Sequence, residues 1–148
     1  MRQTLTLNKM LSELDKKSVV NAIQSAEELT SGEIRVHIDR KGGKEPFKDA
    51  TRVFERLGMT KTKERNGVLI YLCFTRKQIA ILGDQGINEK VPEGYWDELY
   101  HSMATAFRNE QYGLGICEAI ERIGEKLSAY FPVNADNPNE LSNEITEA

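Results

Sequence analysis

The chain has 148 residues, 39% of them apolar and 29% charged, with 20 Lys and Arg against 23 Asp and Glu. That length fits one domain with a real core, and a net charge of −3 weighs against a nucleic-acid polyanion as partner. No stretch approaches the roughly 20 apolar residues of a membrane span, and Met1-Arg2-Gln3-Thr4-Leu5 leads into no apolar signal core, so neither membrane insertion nor secretion is expected.

Residues 1–7 are read as a short extra strand or a loose end. A helix is expected over 14–29, because Val19, Ile23 and Ala26 recur at three- and four-residue steps. Thr30-Ser31-Gly32 ends it, with Gly32 suited to a left-handed cap. Glu33-Ile34-Arg35-Val36-His37-Ile38 alternates strictly and predicts a half-buried strand, with Glu33, Arg35 and His37 facing solvent. A Gly42-Gly43 loop leads to a helix from Pro46, whose buried stripe is read as Phe47, Ala50, Val53, Phe54 and Leu57, stopped by Gly58.

A charged loop over 59–66 precedes 68–74, apolar at every position, as a strand covered on both faces must be. Thr75-Arg76-Lys77 turns the chain into a second strand over 78–83, completing a hairpin. Residues 84–94 read as an irregular loop. Helices are expected over 95–109 and 112–130. From Val133 onward Asp136, Glu140, Glu144 and Glu147 stand without Lys or Arg, so 132–148 is read as an acidic disordered tail behind a domain spanning 1–131. This order predicts a three-layer αβα sandwich, a short mixed sheet with helices on both faces. Cys73 in a strand and Cys117 in a helix have no CxxC spacing and read as reduced core residues, which places the chain in the cytoplasm.

A crossover helix makes the strands at 33–38 and 67–73 parallel, so Glu33 and Asn66 start on one edge. The antiparallel hairpin partner returns Asp84 to that edge. The plainer fates of these residues are a turn cap for Asp84, a solvent-facing strand position for Glu33 and a turn dipeptide for Asn66-Gly67. His37 and His101 lack zinc-site spacing, and His37 is read as a surface histidine. Gly42-Gly43-Lys44 resembles a fragment of an anion site but lacks P-loop spacing. The preference of open α/β sheets for ligands at the carboxyl ends of parallel strands points to this same loop over 39–46.

Four segments in fixed order, Thr-Ser-Gly-Glu-Ile-Arg-Val-His at 30–37, Arg-Asn-Gly-Val-Leu-Ile-Tyr at 65–71, Ile-Leu-Gly-Asp-Gln-Gly-Ile-Asn at 81–88 and Tyr-Gly-Leu-Gly-Ile at 112–116, resemble the TPM-domain family over about residues 15–131. The resemblance implies an αβα fold holding a divalent metal, usually calcium, where loops cross at one end of the sheet. It also implies acid phosphatase activity for some members. Many members carry a signal peptide and a transmembrane segment; this chain looks like a stand-alone cytosolic version. Topology and resemblance together put a Ca²⁺ or Mg²⁺ site at Asp84, then Glu33 and Asn66, then Glu64, with Glu89 and Asp97 nearby. A hard cation takes about six to eight oxygens, and Gly83 and Gly86 would let carbonyls turn inward. The leading expectation is a metal-responsive binding module that recognises a protein partner; the alternative is metal-dependent hydrolysis of phosphate monoesters, for which no nucleophile and base pair is evident.

Overall fold

The computed structural model describes residues 11–133 and 145–147. Residues 1–7, read as a short extra strand or a loose end, and residues 134–144 and 148 of the expected tail lie outside them. Helix α1 (Glu13–Glu27) opens with a capping box: Ser12 Oγ accepts the Asp15 N–H, and Asp15 accepts the Ser12 N–H. Strand β1 (Glu33–Ile38) follows, then α2 (Pro46–Arg56) with proline at its first turn. Gly58, at φ 72°, ends α2 as expected. Gly32 differs from expectation. It is not left-handed; a Cβ there would press on the Leu127 side chain at 2.7 Å, so the position is set by close packing.

Strands β2 (Gly67–Cys73) and β3 (Gln78–Gly83) form the hairpin through a short 3₁₀ turn at Phe74–Arg76. The segment read as an irregular loop contains a one-turn helix, α3 (Gln85–Asn88). Helices α4 (Tyr95–Arg108) and α5 (Tyr112–Tyr130) follow. The chain end, read as disordered, returns to the sheet as β4 (Thr146–Glu147), parallel to β1 at His37 and Ile38. The sheet order is β3-β2-β1-β4, with β1 parallel to β2 and β2 antiparallel to β3.

The sandwich has three layers, as predicted. Val19, Ile23, Ile34, Val36, Ile70, Leu99, Ile120 and Leu127 fill the core between the sheet and α1, α4 and α5. Ala50, Val53, Phe54, Leu69, Tyr71 and Ala80 fill the opposite one, beneath α2. Two burial expectations fail. Glu33, Arg35 and His37 are 1%, 7% and 2% exposed rather than solvent-facing, because both faces of the sheet are covered and strand alternation separates faces, not water from core. Phe47 is 61% exposed although it was assigned to the stripe of α2; burial begins at Asp49 and Ala50, so the first turn of the helix projects beyond the packed layer. No helix among the described residues is long and apolar enough to cross a membrane.

Candidate functional site

Pairing registers bring the starts of β1 and β2 and the end of β3 together. Glu33 stands opposite Gly67, and Val68 opposite Gly83. The Asp84 N–H donates to the Gly67 carbonyl at 2.9 Å. Glu33, Asn66 and Asp84 therefore share one sheet edge, as the topology required, and the loop carrying Glu64 crosses it.

Asp84 caps α3, accepting the Gln85 N–H on Oδ1 at 2.8 Å. It also faces a cation. Arg65 Nε donates to Oδ2 at 2.6 Å and Nη2 to Oδ1 at 2.8 Å, a two-pronged arrangement matched to the carboxylate. The Asp84 side chain is 7% exposed and that of Arg65 39%. The hydrogen bond to Asp84 raises the Arg65 pKa further above its already high value, against a smaller opposing effect of burial. Arg65 adopts φ 52°, a left-handed backbone uncommon for residues other than Gly, Asn and Asp.

A second, smaller network lies beside it. Ser31 Oγ donates to Glu64 Oε2 at 2.7 Å, and Asn66 Nδ2 donates to Ser31 Oγ at 3.2 Å. The Asn66 N–H is held by Thr62 Oγ1 at 3.2 Å. The crossing of the two loops is locked by backbone: the Gly86 N–H donates to the Arg65 carbonyl at 2.8 Å, and a Cβ on Gly86 would fall 2.1 Å from the Glu64 carbonyl oxygen. Gly86 thus serves close approach of two chains. Gly83 is likewise confined, with Trp96 2.6 Å from its would-be Cβ. Glu89 and Asp97 are exposed, outside these networks.

Among the described residues no three His, Cys, Asp or Glu side chains converge on one point as a metal cage would require. The donors gathered here are all oxygens (Asp84, Glu64, the Asn66 amide, Ser31), which suits a hard cation. The guanidinium of Arg65, however, already occupies the cationic place against Asp84. Arg65 and Ser31 were missed in the sequence, although a cation between Glu64 and Asn66, in a loop crossing Asp84, is a signal that topology made readable.

At the far end of β1, His37 Nδ1 lies 2.8 Å from Thr146 Oγ1, which itself donates to the Val36 carbonyl at 3.3 Å. His37 Nε2 is buried without a hydrogen-bond partner. Burial lowers the His37 pKa, helped by Arg56 and Arg35 and opposed by Asp39. Asp39 accepts Tyr71 Oη at 2.8 Å and the N–H groups of Lys41 and Gly42; burial would raise its pKa, but these bonds together hold it below the ordinary value.

The sequence profile of the TPM domain matches residues 6–126. The NMR structure of BA42 from the psychrophilic bacterium Bizionia argentinensis superposes with a TM-score of 0.85 at 38% identity, covering 93% of this chain and 95% of that one. The solution structure of the N-terminal domain of a P. gingivalis protein shares the fold at a TM-score of 0.67 and 17% identity, over 82% of this chain and 79% of that one. No curated protein matches the sequence.

Proposed function

Because this chain belongs to the TPM-domain family, we propose that its loop-crossing edge is a cytoplasmic, divalent-cation-responsive binding site, with Ca²⁺ the expected ion and Mg²⁺ the alternative. Asp84 is the primary ligand, with Glu64, Asn66 and Glu33 completing the candidate set. The observation that carries this reading is the Arg65–Asp84 pair: a nearly buried carboxylate neutralised by a cation on a side chain 39% exposed. A half-exposed guanidinium is free to leave, so Asp84 exchanges one cation for another. Losing Arg65 from Asp84 changes the surface of the 59–66 and 84–94 loops, and that surface is what a protein partner reads. The two free thiols, Cys73 and Cys117, support the cytoplasmic setting.

Titration of chelated protein with Ca²⁺ and Mg²⁺, followed by backbone amide NMR, tests the reading. Saturable shifts at 64–67 and 83–88 are expected, with the Arg65 Nε resonance losing its bonded shift. Flat spectra at millimolar metal overturn it. Turnover of a generic phosphate monoester by the same sample, with and without metal, tests the catalytic alternative.

A further inference from the structure

The opposite end of the sheet, about 20 Å along β1 and β2 from the Asp84 edge, carries a different chemistry. Here the loop over 39–45 is clipped to the 74–77 turn: Thr75 Oγ1 donates to the Arg40 carbonyl at 2.8 Å, and Arg76 Nε to the Lys41 carbonyl at 3.0 Å. The clip gathers Arg40, Lys41, Lys44, Lys48, Arg76 and Lys77, all exposed. Three carboxylates lie over 39–49, the span that holds four of these cations. Asp39 turns inward to Tyr71, Glu45 pairs with Lys48 at 3.0 Å, and Asp49 accepts the Gly43 N–H and pairs with Arg52. Among the described residues Arg40, Lys41, Lys44, Arg76 and Lys77 form no salt bridge. Glu13 and Glu147, both paired with Lys16, line the hollow beside Arg40, and Glu110 lines the one beside Lys77. The loop and turn themselves still carry an excess of positive charge, to which the positive end of the α2 dipole adds.

Phe47 follows Lys44 and precedes Lys48 in the chain, at the first turn of α2, with 61% of its surface in water. An exposed aromatic ring at the first turn of a helix, with a lysine three residues before it and another directly after it, calls for apolar burial and negative charge together. Four of the six cations are lysines, which act as point charges rather than as the planar forks that read phosphorylated or nucleic-acid motifs. A surface that offers diffuse negative charge above an apolar layer satisfies both.

We propose that this end of the sandwich docks on an anionic lipid bilayer, Phe47 entering the headgroup layer while Lys41, Lys44, Lys48, Arg76 and Lys77 face the lipid phosphates. The contact is peripheral and independent of the cation site at the other edge.

Co-sedimentation of the full chain with vesicles of phosphatidylcholine alone, and of phosphatidylcholine with phosphatidylserine, tests it. Binding to the anionic vesicles only, weakening as salt rises, is expected. Lys44→Gln and Lys41→Gln each lower the affinity about fivefold, and Phe47→Ser lowers it roughly tenfold. Lys90→Gln, beyond the Asp84 edge, leaves it unchanged. Urea midpoints of all variants, being surface changes, stay near that of the parent and certify folding. No sedimentation with anionic vesicles, or equal sedimentation with neutral ones, overturns the proposal. So does heparin binding that needs the cations but is indifferent to Phe47, which would mark a reader of acidic macromolecules instead.

Discussion

Arg65 and Asp84, nineteen residues apart in sequence, meet through two parallel N–H···O bonds of 2.6 and 2.8 Å across the crossing of two loops. The pair joins the loop that precedes β2 to the helix that follows β3, and it sets the charge that any cation arriving at this edge must displace. Arg65→Asn removes the guanidinium while tolerating the left-handed backbone at that position. The expected outcome is tighter Ca²⁺ binding by calorimetry with a small fall in the urea midpoint. Asp84→Asn is expected to abolish the proposed calcium response; weaker binding in Arg65→Asn would show that the arginine assists the ion rather than competing with it.

Gly86 is the position where the crossing tolerates no side chain. A methyl group there meets the Glu64 carbonyl oxygen at 2.1 Å and that of Arg65 at 2.6 Å, both backbone atoms. Gly86→Ala is expected to cost about 1–3 kcal/mol in urea denaturation and to shift the amide resonances of both loops. Ala at Gly94, where nothing lies within 4 Å, tests strain alone, since that glycine has φ 82°.

Two groups are expected to make stability depend on pH, in separate windows. The folded-state pKa of His37 lies below the ordinary 6.5 because burial disfavours the imidazolium. As pH falls through about 6.5 the unfolded chain takes up the proton first, so stability declines there and levels off beneath the folded value. The folded pKa of Asp39 lies below 3.8, so its contribution is present above that value and is lost only as pH falls further. Urea midpoints measured from pH 8 to pH 3 are expected to show the first decline, and His37→Gln to remove it. Thr146→Val, which deletes the hydroxyl between His37 and the Val36 carbonyl, costs about 1 kcal/mol.

The two thiols differ in access and share low reactivity. Cys73 is fully buried in β2, whereas Cys117 is half-buried in α5, where burial first, then Asp15 and Glu121, push its thiol pKa up. A neutral thiol is a poor nucleophile. Modification by an aromatic disulfide reagent near pH 8 is expected to proceed slowly at Cys117 and to reach Cys73 only on unfolding. Rapid labelling of Cys73 would contradict its place in the core.

The sequence by itself determined the layers and the direction of the strands. Apolar runs at 68–74, three- and four-residue stripes in α1 and α5, and a helix between two strands leave few ways to cover a sheet, so the αβα order and the meeting of Glu33, Asn66 and Asp84 at one edge follow from periodicity and right-handed crossover alone. What those residues hold was decided by tertiary structure. Whether Asp84 faces an ion or the guanidinium of Arg65 depends on the path of a loop whose charged sequence has no period to read. Burial of Glu33, Arg35 and His37 was equally hidden, because alternation reports two faces of a strand and says nothing of what covers each. The exposure of Phe47 and the return of Thr146 to β1 have the same origin: both depend on where a helix or a chain end lands relative to the sheet, a long-range outcome that local pattern does not encode.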